Sequence, residues 1–347
     1  MKITEHKLYG DFLDGFAYKS ELLLHTNDNE FWIVPFSDIM NITHLEVDIR
    51  EIKYSMKKRY MDSYFMIDQF MTDFDVYDDH IYFCNSDGVF GTSLKNYQVD
   101  YKRNIVSEKI WDAPVQCIRV GSHGRIGMSA SGDGLFEYDL SEPQNIEVED
   151  RNRIEKEIHQ ITEKHSTSCR WTYGCIWNHS IVGESSLFEY RLENNKEGKQ
   201  KFFFRGEYHE EQIFKGESSM DKRSLIGVSS QSKSIYRFKR NEVELAKFSQ
   251  AKDREIAFSS KALFGNNEIG EMEIRSFEEL HSGKDAEDLF ACETESGIAV
   301  IDRTGRMVYK TLSQEDVVNW RTFPNSKIYR NYLLVVYNDR IEIVEFE

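Results

Sequence analysis

The chain is poor in proline, has no closely paired cysteines, and lacks both a long apolar run and any excess of positive charge. Four prolines in 347 residues, beside 40% hydrophobic and 13% aromatic residues, exclude a Pro-rich or disordered polypeptide and leave ample material for a core. The five cysteines, Cys84, Cys117, Cys169, Cys175 and Cys292, form no CxxC pair and keep no regular spacing. They fit reduced, buried thiols rather than a disulfide framework or a thiolate zinc site. No segment approaches the roughly 18–20 apolar residues of a membrane helix, and the opening MKITEHKLYGDFLDGF lacks the apolar centre of a secretory signal. A cytoplasmic location without a membrane partner is therefore expected, and Asn41-Ile42-Thr43 and Asn178-His179-Ser180 read as chance glycosylation matches. A formal net charge of −16 offers no concentrated positive field for a phosphate backbone, so nucleic acid is not the expected partner. Catalytic fingerprints are missing too: there is no P-loop or Rossmann glycine pattern, and Gly127-Met128-Ser129-Ala130-Ser131 fails GxSxG at its last position. No cofactor is expected.

What the chain does contain is repetition. A short apolar run, a tight turn and a second apolar run recur seven times: LLLHTNDNEFWIV from Leu22, IYFCNSDGVFGTSL from Ile81, RIGMSASGDGLFEYDL from Arg125, SIVGESSLFEYRL from Ser180, SLIGVSSQSKSIYRF from Ser224, LFACETESGIAVID from Leu289 and YLLVVYNDRIEIVEF from Tyr332. Each reads as a β-hairpin, with Asp87-Gly88, Asp133-Gly134 and Asn338-Asp339 supplying residues that tolerate the turn's positive φ. Continuous runs such as Leu333 to Val336 suit strands covered on both faces. Most hairpins have a further strand-like segment before them, such as PVQCIRV or STSCRWTYGCIW, and after them, such as YKRNIVSE, KFFFRGEY, EVELAKF or RMVYKTL. Four strands per unit, seven times over, resembles the WD40-like seven-bladed β-propellers, without their Gly-His and Trp-Asp signature.

The resemblance implies an all-β fold in a single domain of residues 1–347. The last unit ends on its third strand at Phe346, while MKITEHKLYG is a strand without a unit; pairing the two would complete the last blade and close the ring. Steps between successive units are uneven, the longest following units one, three and five, and the extra residues are expected between the fourth strand of one blade and the first of the next. Three insertions result. The first, near 51–70, concentrates Lys53, Lys57, Lys58 and Arg59 among Tyr54, Met56, Tyr60, Met61, Tyr64, Phe65 and Met66. It reads as an amphipathic helix packed on the propeller, as a partner-binding surface, or as a stacking patch for nucleic acid. The second, near 151–165, carries Ile154, Ile158 and Ile161 at helical spacing and predicts a helix of about three turns. The third, near 249–270, reads as a folded loop.

Two function classes remain. The favoured one is a noncatalytic interaction propeller: a scaffold, adaptor or inhibitor, itself monomeric, docking a protein partner with a basic surface on the insertion-bearing face, with Lys53, Tyr54, Lys57, Lys58, Arg59, Tyr60, Tyr64 and Phe65 as contacts. The alternative is a channel-site hydrolase or lyase, metal-assisted in one version. His80, His123 and His179 each precede the second strand of units two, three and four, where converging imidazoles could hold a metal. The acidic group Asp73, Asp75, Asp78 and Asp79 lies near a first strand, so Asp75, His123 and His179 are the catalytic candidates of this reading.

Overall fold

The computed structural model describes residues 1–28, 30–40, 47–48, 64–67, 69–94, 104–105, 107–121, 124–140, 158–172, 174–194, 200–214, 225–229, 232–239, 242–250, 256–264, 274–281, 288–311 and 317–347. In chain order its elements are β1 (Ile3–Tyr9), β2 (Phe12–Tyr18), β3 (Glu21–Thr26), β4 (Glu30–Pro35), α1 (Phe36–Met40), β5 (Val47–Asp48), β6 (Tyr64–Ile67), β7 (Asp73–Tyr77), β8 (His80–Asn85), β9 (Gly88–Ser93), β10 (Asn104–Ile105), β11 (Glu108–Trp111), β12 (Cys117–Gly121), β13 (Arg125–Ser129), β14 (Leu135–Asp139), β15 (Ile158–Thr162), β16 (Ser168–Thr172), β17 (Cys175–His179), β18 (Ser186–Asn194), β19 (Gln200–His209) and α2 (Glu210–Phe214). The remainder are β20 (Leu225–Ser229), β21 (Ser234–Lys239), β22 (Glu242–Gln250), β23 (Ile256–Phe264), β24 (Ile274–His281), β25 (Asp288–Thr294), β26 (Gly297–Asp302), β27 (Met307–Lys310), β28 (Val317–Thr322), β29 (Tyr332–Tyr337) and β30 (Arg340–Phe346).

These strands make seven sheets, each with a four-stranded antiparallel centre. Sheet I is β2-β3-β4-β6, sheet II β7-β8-β9-β11, sheet III β12 to β15, sheet IV β16 to β19, sheet V β20 to β23, sheet VI β24 to β27, and sheet VII β28-β29-β30-β1. The chain forms two compact units, Met1–Ile67 with Tyr97–Ile105 and Ser224–Glu347, and Asp68–Asn96 with Val106–Arg223. Sheets I, V, VI and VII belong to the first, and sheets II, III and IV to the second.

In the first unit the terminal strand pairs as expected. β1 lies antiparallel to β30 over seven residue pairs, from Ile3 opposite Phe346 to Tyr9 opposite Arg340, so the fourth strand of sheet VII comes from the other end of the sequence. The unbroken apolar runs are explained by burial on both faces. Leu334 and Val336 of β29, with Ile341 and Ile343 of β30, pack with Phe12, Leu22, Leu24 and Trp32 of sheet I. The alternate residues Leu333, Val335 and Val344 pack with Leu289, Ala291, Ile298 and Val300 of sheet VI. A period of two thus sends every second side chain to a different neighbour, and both must be apolar. The second unit repeats the arrangement, Ile118, Ile126 and Met128 meeting Tyr82, Cys84 and Val89, and Leu135 meeting Trp171, Ile176 and Phe188. Gly121 is required here: a Cβ would sit 2.5 Å from Cγ of Trp171.

Four expectations are corrected. Within the span 151–165, residues 158–162 form strand β15, not a helix. Ile158 packs into the cluster with Tyr82 and Ile126, Ile161 into the one with Trp171 and Phe188; a spacing of three that looked like one helical stripe puts the two on opposite faces of a strand. Within 249–270, residues 256–264 are likewise a strand, paired with β22 from Gln250 opposite Ile256 to Glu242 opposite Phe264. EVELAKF is therefore the third strand of sheet V, because SLIGVSSQSKSIYRF supplies the first two. In sheet IV, STSCRWTYGCIW contains both β16 and β17 around Gly174, whose φ is 74°, and residues 180–185 are the turn that follows. Finally, the long connections of sheets I, II and III run between their third and fourth strands, not from a fourth strand to the next first strand. Two of them return short parallel straps in the first unit: β5 pairs with β1 and β10 with β6, each covering an outer sheet edge that would otherwise expose unpaired backbone groups.

Candidate functional site

Of the residues singled out in the sequence, Lys53, Tyr54, Lys57, Lys58, Arg59, Tyr60 and His123 lie outside the described residues. Tyr64 and Phe65 lie in β6, opposite Trp32 and Phe31 of β4, so this end of the basic and aromatic segment is a strand.

Asp73 and Asp75 alternate along β7, and both reach the first strand of sheet III. One Asp73 oxygen accepts the Ile118 amide at 3.1 Å and the Arg119 guanidinium at 2.5 Å. Asp75 accepts the amide of Val120 at 2.8 Å through Oδ2 and that of Val76 at 2.8 Å through Oδ1. These carboxylates satisfy the edge amides of the neighbouring sheet, using charge-assisted bonds where a ladder partner is missing. The first unit uses the same device: Glu278 of β24 accepts the amide and hydroxyl of Thr322 in β28 at 3.2 and 3.0 Å, and Arg321 grips Asp14 of β2 through two nitrogens at 2.5 to 2.9 Å. Asp78 and Asp79 form the turn into β8 with φ of 44° and 61°.

His80 and His179 stand at opposite ends of their strands. His80 opens β8, its Nδ1 2.8 Å from the carbonyl of Asp78. His179 closes β17, the corresponding second strand of sheet IV, and so stands at the opposite end, its Nδ1 3.3 Å from the Ser185 hydroxyl. Burial, with Arg170 nearby, pushes the His179 imidazole down to about 4, so it is neutral near pH 7. A different group is gathered instead in the first unit: Glu279, His281 and Asp288, all buried, with potential ligand atoms within 4.8 Å of one another. Sequence reading passed over it, although Phe277-Glu278-Glu279-Leu280-His281 places Glu279 and His281 two apart on one strand face.

An exposed apolar and acidic surface lies on the second unit, at the end where second strands turn into third strands. Backbone and side-chain bonds stitch this end together: Asn85 Nδ2 to the Phe70 carbonyl at 2.8 Å, the Val115 amide to the Asn85 carbonyl at 3.2 Å and the Ser166 amide to that of Ser131 at 2.9 Å, Gln116 Nε2 to the Ser166 carbonyl at 3.0 Å, and the Ile181 amide to Oγ1 of Thr167 at 3.2 Å. Along this belt Phe70, Ile181 and Val182 are 69%, 59% and 64% exposed. Between them every connection carries an exposed carboxylate: Asp87, Asp112, Asp133, Glu163 and Glu184. Lys109 and Lys164, nearby, are held in ion pairs with Asp112 at 2.6 Å and Glu207 at 2.8 Å.

No protein-family model and no curated protein matches the chain. Solved structures do. The Cps50 (Swd1) β-propeller domain of Myceliophteria thermophila is 10% identical with a TM-score of 0.54, covering 97% of this chain and 99% of its own. The fold is a seven-bladed β-propeller. The N-terminal domain of Nup159 is similar at 10% identity and a TM-score of 0.51, covering 99% of this chain and 89% of that one. BBS1N, solved in complex with ARL6DN, is 8% identical with a TM-score of 0.50, covering 98% and 93%. At these identities the likeness concerns the fold, and the seven sheets are its blades, each four-stranded at its centre, with β1 completing the last. Among the described residues no helix is long and apolar enough to cross a membrane.

Proposed function

We propose that residues 1–347 act as a noncatalytic interaction propeller whose protein partner presents a basic surface with apolar anchors to the turn end of blades II, III and IV. The observation that carries this reading is the belt of exposed Phe70, Ile181 and Val182 set among five exposed carboxylates. Apolar anchors in a charged rim are how protein interfaces are commonly built, and carboxylates of one sign steer a cationic partner and speed its encounter. The net charge of −16 adds a long-range field of the same sign. Propellers of the same fold in recorded complexes, such as BBS1N with ARL6DN, support a scaffold role by analogy of fold alone. The basic and aromatic residues Lys53, Tyr54, Lys57, Lys58, Arg59, Tyr60, Tyr64 and Phe65 are proposed as a second contact, suited to acidic groups on a partner. A hydrolase or lyase built on Asp75 gains nothing from the geometry, since both of its oxygens hold backbone amides.

The test is capture of partners from native cells with the unaltered chain, with a variant carrying Asp133→Lys, Glu163→Lys, Glu184→Lys and Ile181→Asp, and with one carrying Lys57→Glu, Lys58→Glu and Arg59→Glu. A stoichiometric, basic partner retained by the unaltered chain should be lost from the turn-end variant, and its retention should fall as salt rises from about 50 mM towards 0.5 M, where charge interactions are screened. Equal capture by the unaltered chain and the turn-end variant would sink the reading.

A further inference from the structure

We propose that Glu279, His281 and Asp288 form a binding site for one divalent first-row transition-metal ion of the zinc type. The site is independent of the docking surface. It lies in blade VI, in the first unit, at the junction with blade V.

Placement comes from strand geometry. Glu279 and His281 project from the same face of β24, and the antiparallel register sets His281 directly opposite Asp288 at the start of β25. The intervening Leu280 points the other way, into the apolar cluster with Leu289, Val300 and Val335, which fixes the strand. All three side chains are buried, at 2%, 2% and 1% exposure, and each offers a ligand atom within 4.8 Å of the other two. Nε2 of His281 stands 2.6 Å from Oε1 of Glu279, while its Nδ1 is buried without a hydrogen bond among the described residues. Nε2 is therefore the ring nitrogen that faces the Glu279 carboxylate and is the ligand atom of the site, while Nδ1 points away from it across the ring.

Asp288 is oriented as metal-binding carboxylates are. Ser229 donates its hydroxyl to Oδ1 at 2.9 Å and Tyr236 donates to Oδ2 at 2.6 Å, and Ser232 in turn donates to Ser229 at 2.8 Å. Hydrogen bonds of this outer layer hold a ligating carboxylate in place and are worth about 10–100-fold in metal affinity. The donor set selects the ion class. One imidazole and two carboxylates neutralise a dication and suit zinc and its neighbours, whereas calcium wants 6–8 oxygens and magnesium near-ideal octahedral geometry with retained water. Because Ser229 and Tyr236 come from blade V, a bound ion would tie blades V and VI through one charge centre.

The experiment uses the full chain, unfolded in chelator, refolded with Zn2+ alone or with metal-free buffer, then freed of loose ions by gel filtration and assayed for zinc by atomic emission. One zinc per chain is expected, with a melting temperature above that of the metal-free sample. Glu279→Gln, His281→Gln and Asp288→Asn, each removing a ligand, should bind more than about 100-fold more weakly, beyond the 10–100-fold of an outer-layer change, whereas Glu295→Gln, exposed in the turn between β25 and β26, should retain the ion. Since a variant in this buried group can fail to fold, refolding the unaltered chain with Co2+ provides a second reading: visible bands of a low-coordinate nitrogen and oxygen site are expected. Substoichiometric zinc in the unaltered chain, equal zinc in the folded variants, or a Co2+ spectrum identical to that of the hexaaquo ion would each overturn the proposal.

Discussion

Asp75 divides its two oxygens between its own strand and the next blade, and this division decides what its loss should do. Asp75→Ala leaves the amide of Val120 without its acceptor at a sheet edge, a loss of about 1–3 kcal/mol where the group stays shielded from water. Equilibrium urea unfolding should show a lower midpoint with an unchanged slope, and Asp75→Asn, which keeps one acceptor oxygen, should lose less. His179 predicts a pH effect. Its folded imidazole titrates at about 4, against 6.5 when unperturbed, so the native state disfavours the proton that the unfolded chain accepts. The stability this contributes is complete above about pH 6.5 and is lost as pH falls through the interval towards 4. His179→Asn should therefore flatten the acid limb of a stability-against-pH curve; an unchanged slope between those values would show that His179 is not responsible.

At the scale of the element, β1 is the strand on which sheet VII depends. It contributes seven paired residues to β30 and the buried Leu8 to the apolar cluster shared with blade I, and its outer edge carries the β5 strap. Deleting residues 1–10 should expose β30 as an unprotected edge and lower the melting temperature sharply, with aggregation as the accompanying symptom. A synthetic peptide of residues 1–10 added in trans should recover part of the loss, and failure of both arms would mean that β30 does not need its partner. This strand was legible in the sequence because ITEHKLY lacked a unit and YLLVVYNDRIEIVEF lacked a fourth strand. β15 was not, since isoleucines three apart serve a helix stripe and the two faces of a covered strand equally well. β23 was hidden differently: once the hairpin at Ser224 was read as the second and third strands, EVELAKF filled the fourth place and left Ile256 to Phe264 without a role.

Across the whole molecule, the periodic part of the chain was readable and the site chemistry was not. Turn-punctuated hairpins carry their own local physics, positive φ at turn glycines such as Gly88, Gly134 and Gly297 and apolar residues between the turns, so a single sequence displays them. Glu279, His281 and Asp288 meet only through the register of β24 and β25, with the Ser229 and Tyr236 hydroxyls brought by another blade, and no spacing along the chain announces that meeting. The carboxylate belt is similar. Asp87 and Asp133 were visible as turn residues, but their alignment with Asp112, Glu163 and Glu184 depends on which end of each sheet a connection occupies. Asp73 and Asp75, conspicuous as an acidic cluster, turned out to join sheets, which is what alternating carboxylates on an edge strand can do for the amides facing them.

The pairing of β1 with β30 also imposes an order on synthesis. Lys2 and Glu347, joined side chain to side chain, are 345 residues apart in sequence, so β1 must wait for β30. At about 5–20 residues per second, that interval is roughly 17 to 70 s. During it the earlier blades can form while β1 lacks its antiparallel partner, and the zipping of sheet VII is a late step with a large loop-closure cost.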